Sequence, residues 1–371
     1  MAKRVLITGV GGFIGSLALE YWYEKTDWIF LGLDSFKHKG YVTRIEDVKK
    51  RLENPPDWNK RVKLFTHDLT VPIDPPLENL LMDRSIDDMG VINENKIDVI
   101  INFASDSAVE RSITDPLHCW HNNCNLISTV LEFARKVKPS LTVHISTDET
   151  MGEAPPLPSL GHKEWATIMP SNNYAASKAA QEALCISYFR SYDLPVVITN
   201  CANVLGESQD PEKFLPKIIQ FIAQGKTDIP IYADEVKNWG DYPWNHIENN
   251  KHWYIGSRIY LDARNKADAL LFLVNRKPAR YSEGAKQPDR YNICGPTEFN
   301  NLELAQKVAQ IMGKELKYKL VSSESARPGY DRRYALDGSK LASLGWLPPI
   351  PLDDTLKRIV NWTIQSQHWL L

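Results

Sequence analysis

A glycine-rich turn near the N-terminus constrains the fold of this chain more than any other feature. Residues 4–8 are an apolar, β-branched run typical of a buried strand, and residues 16–20 are typical of a helix. Gly9, Gly12 and Gly15 lie between them. We expect Gly9 to permit a tight turn, Gly12 to let the backbone approach a pyrophosphate, and Gly15 to let the helix pack on the strand. The motif predicts a bound dinucleotide, although glycine triplets also occur in ordinary turns.

The second predicted strand, residues 28–33, ends at the acidic residue Asp34. At this distance from the glycines, an acidic side chain binds ribose hydroxyls in dinucleotide-binding folds, which favours NAD over NADP. A turn or helix N-cap role is the alternative for Asp34. Lys37, His38 and Lys39 follow closely and are suited to a 2′-phosphate, so the preference for NAD stays open at this point.

Strands and helical stretches then alternate along the chain. The later strands are predicted at residues 62–65, 98–103, 141–145 and 195–199. This alternation predicts a parallel, doubly wound α/β Rossmann sheet, with ligands at the carboxyl ends of its strands. The predicted cofactor-binding residues from the glycine turn and these strand ends are Gly9, Gly12, Phe13, Ile14, Gly15, Asp34, Asp68, Leu69 and Ala104.

The alternation breaks after residue 200. We therefore predict two domains: an NAD-binding Rossmann domain of residues 1–200 plus 257–289, and a smaller α/β C-terminal lobe that binds the substrate. The lobe comprises residues 201–256 plus 290–371. Residues 234–256 are rich in Trp, Tyr, His and Asn and have almost no aliphatic residues. That composition indicates an inserted loop or lid, not a core element.

Two polar motifs form a candidate reaction centre. Residues 146–149, Ser-Thr-Asp-Glu, follow a predicted strand, at the edge where open α/β sheets bind ligands. Tyr174 and Lys178 are four residues apart in an alanine-rich helical stretch, so they share one face. An ammonium group stabilises phenolate and lowers the pKa of a tyrosine, which suits Tyr174 to act as a base. Alone, this pair is also typical of a solvated helix surface.

A long helix predicted at residues 116–136 indicates an oligomer. It carries two apolar stripes, one of Trp120, Cys124, Ile127, Leu131 and Ala134 and one of Leu126, Val130, Phe133 and Val137. One stripe can cover the sheet, so the second needs another partner. The Tyr174 helix carries small residues on one face: Ala176, Ala180, Ala183 and Ser187. We infer a homodimer with a four-helix contact of residues 117–137 and 174–190; the alternative buries both stripes within one chain.

Composition excludes several classes of function. The 371 residues carry a net charge of −2, which shows no bias toward nucleic acid or membrane surfaces. The chain has no apolar stretch of about 18 residues and no apolar signal at its N-terminus, so we expect a cytoplasmic protein with no membrane partner. Its five cysteines are scattered and lack a CxxC motif, so we expect reduced thiols and no metal site.

Over nearly its whole length the chain resembles the extended short-chain dehydrogenase/reductases, and within them the NAD-dependent nucleotide-sugar epimerases and dehydratases of the dTDP-glucose 4,6-dehydratase group. The glycine motif and the Tyr174–Lys178 pair mark only the superfamily. The tetrad at residues 146–149 is more specific, because related 4-epimerases and decarboxylases usually lack the Asp-Glu pair. Three further segments are similar to the dehydratases: residues 110–113, 199–203 with 211–213, and 327–337.

The resemblance implies a nucleotide-sugar substrate, tightly bound NAD that is recycled in each turnover, and a 4-keto-6-deoxy-hexose product. Oxidation at C4 acidifies the C5 proton, and water is then lost across C5–C6. Tyr174 would take the 4-hydroxyl proton, with Thr147 and Lys178 holding the geometry. Glu149 would remove the C5 proton, and Asp148 would protonate the departing 6-hydroxyl. Opposite duties require different protonation states for these carboxyl groups. Tyr174 and Lys178 also join the cofactor-binding set.

The resemblance also implies substrate-binding residues: Asn203, Lys213, Arg258 and Arg327 at the diphosphate, Asn292 and Tyr334 at the nucleoside, and Ser107 and Asn200 at the sugar. Arginine suits bidentate phosphate contact. The chain departs from the family pattern at residues 150–152, at residues 204–206 and in the 234–256 insertion. We therefore predict an altered sugar or nucleotide specificity with the dehydratase steps retained.

Two rival functions remain. A nucleotide-sugar 4-epimerase or decarboxylase needs Tyr174 and NAD but has no use for Asp148 and Glu149. A non-catalytic NAD-binding protein would tolerate Tyr174→Phe, although this chain retains every catalytic position.

Overall fold

The computed structural model of the protein describes residues 2–38, 41–86, 92–237, 245–322, 329–366 and 369. Its strands are β1 (Arg4–Thr8), β2 (Ile29–Asp34), β3 (Val62–Thr66), β4 (Ser85–Ile86), β5 (Ile92–Asn93), β6 (Val99–Asn102), β7 (Leu141–Ile145), β8 (Val196–Cys201), β9 (Asn203–Leu205), β10 (Ile229–Glu235), β11 (His246–Glu248), β12 (Lys251–Ile255), β13 (Ser257–Asp262), β14 (Asp289–Ile293), β15 (Glu298–Asn300), β16 (Tyr318–Ser322) and β17 (Arg333–Tyr334).

Its helices are α1 (Phe13–Lys25), α2 (Tyr41–Arg51), α3 (Trp58–Arg61), α4 (Pro75–Leu81), α5 (Val109–Thr114), α6 (Pro116–Val137), α7 (Asn173–Tyr192), α8 (Phe214–Ala223), α9 (Ala263–Val274), α10 (Asn301–Ile311), α11 (Ser339–Ser343) and α12 (Leu352–Gln365). The chain divides into two compact units. The first comprises Met1–Ser146, Asn173–Asn200 and Ala267–Tyr291, and the second comprises Thr147–Asn172, Cys201–Lys266 and Asn292–Leu371.

A seven-stranded sheet in the order β14-β8-β7-β6-β1-β2-β3 organises the first unit. Neighbouring strands from β8 to β3 run parallel. Leu6 and Ile7 point to opposite faces of β1 and are both buried, so the sheet is covered on both sides. The predicted doubly wound parallel fold is confirmed.

Helix α6 buries both of its apolar stripes within the first unit. Ile127 and Leu131 of one stripe and Val130 and Phe133 of the other all belong to one core cluster with the sheet. Only the N-terminal end of the first stripe departs from this pattern, because Trp120 is 42% exposed. The premise that the second stripe needs another subunit is therefore wrong, because one chain buries both stripes; the homodimer itself stays a prediction.

The second unit has its own core, in which helices α8, α10 and α12 pack on strands such as β10. The observed division differs from the predicted domains in three segments: residues 147–172 and 257–266 lie in the second unit, and residues 290–291 lie in the first. Residues 257–262 (β13) pair with β9, β15 and β17, so they lie in the second unit and not in the Rossmann domain. Residues 147–172 also lie there, because Ala154 N donates to Arg333 O and His162 N donates to Ala335 O, both at 3.0 Å.

The prediction of a loop or lid at residues 234–256 is wrong for its described part. β10, β11 and β12 form an antiparallel ladder, and β16 extends it on the other side of β10. Asn249 and Asn250 connect β11 to β12 with φ angles of 52° and 59°, as a two-residue hairpin turn requires. Aromatic residues favour strands as aliphatic ones do, so the scarcity of aliphatics was a poor guide. Residues 238–244 lie outside the described part.

Candidate active site

The glycine turn joins β1 to α1 in the first unit and has the tight packing that its sequence predicts. Gly9 has a φ of +70°, and a Cβ atom on it would lie 2.7 Å from Ala104 N. A Cβ atom on Gly15 would lie 2.3 Å from Gly9 O. Larger residues would therefore displace the backbone at both positions.

This turn fits the phosphates of a dinucleotide. The N-cap of α1 is Gly12, which has no side chain to cap the helix, and the first turn of the helix has no acidic residue. The α1 amide groups at this end are thus suited to an anion, and the helix dipole favours negative charge there. Phe13 and Ile14 begin the same helix. The individual cofactor contacts stay predictions.

Asp34 stabilises the glycine turn from the end of β2. Its Oδ2 accepts a hydrogen bond from Gly11 N at 2.9 Å, and its Oδ1 accepts one from Phe36 N at 3.0 Å. Burial raises the pKa of Asp34, and these backbone donors oppose the rise. The turn role that was the alternative for Asp34 is therefore present, and its predicted contact with ribose remains untested.

Lys37 is paired with Asp68, the acidic residue that follows β3. Burial would raise the pKa of Asp68, but Lys37 and Thr70 lower it to about 2. Lys37 thus has an anionic partner inside the chain, which weakens its case as a ligand for a 2′-phosphate. Leu69 is buried in the core cluster of the unit.

Tyr174 and Lys178 lie one turn apart on α7, as predicted, and both are buried. The Lys178 ammonium donates to Ile145 O and to Gln181 Oε1, both at 2.7 Å. Its acceptors are neutral, so the positive charge is held in one place beneath the end of β7. The Tyr174 amide donates to Ser112 Oγ at 3.3 Å. Their catalytic roles stay predictions.

A buried network fixes Ser146, the last residue of the first unit before the boundary. Glu182 Oε1 accepts from Ser146 Oγ at 2.5 Å and from Asn200 Nδ2 at 2.8 Å. Arg290 donates to Glu182 Oε2 at 2.6 Å and to Asn200 Oδ1 at 2.7 Å. Both ends of the Asn200 amide are therefore engaged in the framework, which does not favour its predicted contact with the sugar.

The tetrad continues into the second unit as a short 3₁₀ turn, Asp148–Met151. Thr147 caps this turn: its Oγ1 accepts from Glu149 N at 3.4 Å and donates to Asp148 Oδ1 at 3.0 Å. The other carboxylate oxygen, Asp148 Oδ2, is buried and receives no hydrogen bond from the described residues. Burial, followed by the charge of Glu149, raises the pKa of Asp148 to about 7. Asp148 can thus hold a proton near neutral pH.

Glu149 has the surroundings of a base. Asn172 Nδ2 donates to its Oε2 at 3.2 Å. Burial raises the pKa of Glu149, while Asn172 and the charge of Lys213 oppose the rise. Asn172 donates a hydrogen bond to Glu149 and the charge of Lys213 favours its carboxylate, whereas Asp148 has one oxygen with no partner among the described residues. The two adjacent carboxyl groups therefore have separate environments, which is what opposite acid and base duties require.

Arg258 lies fully buried on β13 with its guanidinium nitrogens committed to backbone carbonyls. Nη1 donates to Ser257 O at 2.6 Å and to Arg332 O at 3.0 Å, and Nη2 donates to Asp331 O at 3.0 Å. Its Cζ lies 4.0 Å from the ring centre of Tyr334 and 4.8 Å from that of Tyr330. This geometry supplies fixed positive charge but engages donors that were predicted to bind diphosphate.

The other predicted substrate residues are spread over both units. In the second, Asn203 begins β9, Lys213 caps α8 and Tyr334 is buried in β17. Asn292 Nδ2 donates to His162 O and Asp337 O, at 2.9 and 3.0 Å, so this amide connects three segments of the unit. Ser107, in the first unit, is exposed. Arg327 lies outside the described residues.

Sequence reasoning missed Asn172 and Asp331. Asn172 contacts Glu149 from the residues just before α7, and Asp331 raises the pKa of Glu149 from the loop before β17. The sequence offered one signal for each: Asn172 lies just before the Tyr174 helix, and Asp331 lies in the segment 327–337 that is similar to the dehydratases. Across the described ranges, no group of three or more His, Cys, Asp or Glu side chains is arranged to hold a metal ion. None of the helices in those ranges combines the length and apolarity needed to cross a bilayer.

A doubly wound parallel sheet with a glycine turn and a Tyr-x-x-x-Lys helix defines the class of dinucleotide-binding Rossmann proteins. Residues 5–294 match the NAD dependent epimerase/dehydratase family. The chain belongs to this family, as its motifs predicted. The family depends on NAD, which confirms the predicted cofactor.

Individual relatives are similar over nearly the whole chain. A dTDP-glucose 4,6-dehydratase from Shigella flexneri is 27% identical, covering 99% of this chain and 94% of that protein. A low-salt glycan biosynthesis protein from Haloferax volcanii is 30% identical, covering 96% and 97%. A crystal structure of dTDP-glucose 4,6-dehydratase from Streptomyces venezuelae with NAD bound has a TM-score of 0.76 at 26% identity, covering 99% and 98%. A UDP-glucose 4-epimerase structure from Thermotoga maritima at 18% identity shares the fold.

Proposed function

We propose that this protein is an NAD-dependent nucleotide-sugar 4,6-dehydratase. It converts a nucleoside-diphosphate hexose into the 4-keto-6-deoxy-hexose by oxidation at C4, loss of water across C5–C6 and return of hydride to C6. The observation that carries this proposal is the pair Asp148–Glu149. One carboxyl group has a buried oxygen without a partner among the described residues and a pKa of about 7, and the other accepts a hydrogen bond from Asn172 and is influenced by the charge of Lys213, both of which favour its anion. Water elimination needs both states side by side.

The glycine turn of Gly9, Gly12 and Gly15 would hold NAD, which would supply the hydride acceptor for C4 and the hydride donor for C6. In the first unit, Tyr174 takes the 4-hydroxyl proton, and Lys178 stabilises the phenolate through its fixed charge. In the second unit, Thr147 orients Asp148 by the hydrogen bond to Oδ1, so that Oδ2 carries the proton for the departing 6-hydroxyl. Glu149 takes the C5 proton. Lys213, whose charge favours the Glu149 carboxylate, supports this role.

The alternatives use less of the site. A 4-epimerase or a decarboxylase needs Tyr174 but gives Asp148 and Glu149 no catalytic role. A non-catalytic NAD-binding protein needs none of these three residues. We also propose that the substrate differs from dTDP-glucose, since residues 150–152 and 204–206 depart from the family pattern. The β11–β12 hairpin, found where a loop was predicted, is a further difference from the family pattern.

The test is a panel of nucleoside-diphosphate hexoses given to the purified protein with NAD. Mass spectrometry should show loss of one water molecule from at least one of them. A product of unchanged mass whose NMR spectrum differs from that of the substrate would indicate epimerisation, and loss of carbon dioxide from a nucleoside-diphosphate hexuronate included in the panel would indicate decarboxylation; either, without any loss of water, would exclude the dehydratase. A clear preference for dTDP-glucose would remove the proposal of altered specificity alone.

We further propose a cytoplasmic homodimer in which α6 and α7 meet their copies. The outer faces of these helices support it: Ala183 and Ser187 of α7 are exposed, as are Leu117 and Trp120 of α6, at 67% and 42%. Small and apolar exposed residues allow helices to pack closely. Light scattering should give the mass of a dimer, and Ala183→Arg should shift it to the monomer. A wild-type monomer at micromolar concentration would contradict the proposal.

A further inference from the structure

Asp331 is a buried carboxyl group in the second unit to which the proposed reaction assigns no role. Its Oδ1 accepts a hydrogen bond from Ser171 Oγ at 2.5 Å. Its Oδ2 is buried, and no residue in the described ranges donates to it. Buried polar atoms in folded proteins are nearly always hydrogen-bonded, and leaving one unpaired is costly. Asp331 Oδ2 therefore needs a donor that the described protein does not supply.

Asp331 lies in the same cluster as Glu149. Asn172 links their segments, because its Nδ2 donates to Glu149 Oε2 at 3.2 Å and to Gly329 O at 3.5 Å. Gly329 packs against Ser171, since a Cβ atom on Gly329 would lie 2.6 Å from Ser171 O. The loop that carries Asp331 is thus held against the segment that contacts Glu149.

Tyr334 shows that these carboxyl groups share one space. Burial raises the pKa of Tyr334, and the charges of Glu149, Asp331 and Asp148 raise it further. The Tyr334 hydroxyl is a hydrogen-bonding neighbour of the Asp331 carboxyl group and opposes the rise that burial causes in its pKa, while Oδ2 itself has no partner among the described residues. Tyr334 is a common neighbour of the three acids.

Within the described part of the second unit, two buried carboxylate oxygens lack a hydrogen-bond partner: Asp148 Oδ2 and Asp331 Oδ2. The proposed function assigns the 6-hydroxyl group to the first. We infer that Asp331 Oδ2 accepts a hydrogen bond from a second hydroxyl group of the same hexose, and so helps to determine which sugar the protein accepts. This inference rests on the proposed dehydration.

A sugar hydroxyl fits this position better than other ligands. Three neighbouring carboxyl groups disfavour a phosphate, and three N–H donors of the nearby Arg258 guanidinium are already engaged by backbone carbonyls. The described residues form no metal-binding group. A hydroxyl group is a neutral donor of the right size, and a site built to bind one discriminates strongly against the analogue that lacks it.

The test is the coupling between Asp331→Asn and the loss of single hydroxyl groups from the substrate. Wild type, Asp331→Asn and Ser171→Ala are compared on the accepted nucleoside-diphosphate hexose and on its 2-deoxy and 3-deoxy analogues. Asp331→Asn should lower kcat/KM on the parent roughly 10- to 100-fold, as expected for a hydrogen bond to a charged group. On the deoxy analogue that lacks the hydroxyl group bound by Asp331, the kcat/KM of Asp331→Asn should be nearly the same as that of the wild type.

Ser171→Ala is the matched control. It removes the hydrogen bond on Oδ1 and keeps the carboxylate. Its kcat/KM should therefore fall from the parent substrate to that analogue by the same factor as in the wild type. Equal losses by Asp331→Asn on all three substrates, or an unchanged kcat/KM on the parent, would overturn the inference. If circular dichroism and NAD content show that Asp331→Asn is not folded, Asp331→Ser is used instead. If no variant folds, the wild type must itself lose at least about tenfold on one analogue, and equal rates on all three overturn the inference.

The inference and the proposed function fail in different ways. Wild type that releases no dehydrated product from any hexose would contradict the function. Wild type that dehydrates the parent while Asp331→Asn shows no coupling would contradict only the assignment of Asp331.

Discussion

Two buried polar clusters in this protein differ in whether their hydrogen bonds are complete. In the first unit, Glu182 accepts from Ser146, Asn200 and Arg290, and Arg290 also donates to Asn200. In the second, Asp148 and Asp331 each keep one carboxylate oxygen that the described residues leave unpartnered. A complete network makes its surroundings rigid, whereas an incomplete one retains the capacity to bind a ligand. The contrast indicates that the Glu182 cluster stabilises the fold, whereas the cluster of Asp148 and Asp331 is suited to bind a substrate.

The largest expected effect comes from the incomplete cluster. Asp148→Asn keeps the size of the side chain but has no acidic proton, so kcat should fall about 10²- to 10⁴-fold. Oxidation at C4 does not need this proton, so reduced cofactor should accumulate during a single turnover. Product mass spectrometry and cofactor absorbance measure the two effects. A near-normal kcat, or loss of both steps together, would contradict the acid role.

The complete cluster should respond in stability instead. Arg290→Met leaves Glu182 as an unpaired buried charge, so the free energy of unfolding should fall by about 3–5 kcal/mol. The double variant Glu182→Gln with Arg290→Met should recover much of that loss because no charge remains. Asp148→Asn, in contrast, should leave the free energy of unfolding unchanged or higher. Urea denaturation compares the variants, and similar losses for Arg290→Met and Asp148→Asn would break the distinction between the clusters.

A smaller effect concerns pH. The pKa of Asp148 is about 7 in the folded protein against an ordinary value of 3.8, so the folded state binds more protons between these two values. The free energy of unfolding of the wild type should therefore fall as pH rises through this window, and no further above it. Asp148→Asn should show a shallower decline in urea titrations at several pH values. Parallel curves for the two proteins would show that Asp148 is not the group responsible.

Local spacing was enough to predict the fold and the paired motifs. The glycine turn, the alternating strands and the positions of Tyr174 and Lys178 depend on neighbouring residues, and periodicity reveals such features. The hairpin at β11 and β12 was missed, although Asn249 and Asn250 are strong turn residues, because composition was weighed above turn chemistry.

Side-chain partners distant in sequence could not be predicted. Asn200 was expected at the sugar, but Arg290, ninety residues away, engages it in a buried network. Arg258 was expected at the diphosphate, and its terminal nitrogens donate to carbonyls of residues 331 and 332. From the sequence, Asn200 and Arg258 can be recognised only as polar residues near the ends of strands. Whether a donor is already used depends on tertiary packing.

The account depends most on Glu149 taking the C5 proton while Asp148 releases the 6-hydroxyl group. The direct measurement is NMR and mass spectrometry of the product formed from the accepted hexose in deuterated water. We expect a product that has lost water and carries deuterium at C5, since a proton held on Glu149 exchanges with solvent before it returns. A product that keeps its 6-hydroxyl group, or one with no deuterium at C5, would contradict the account.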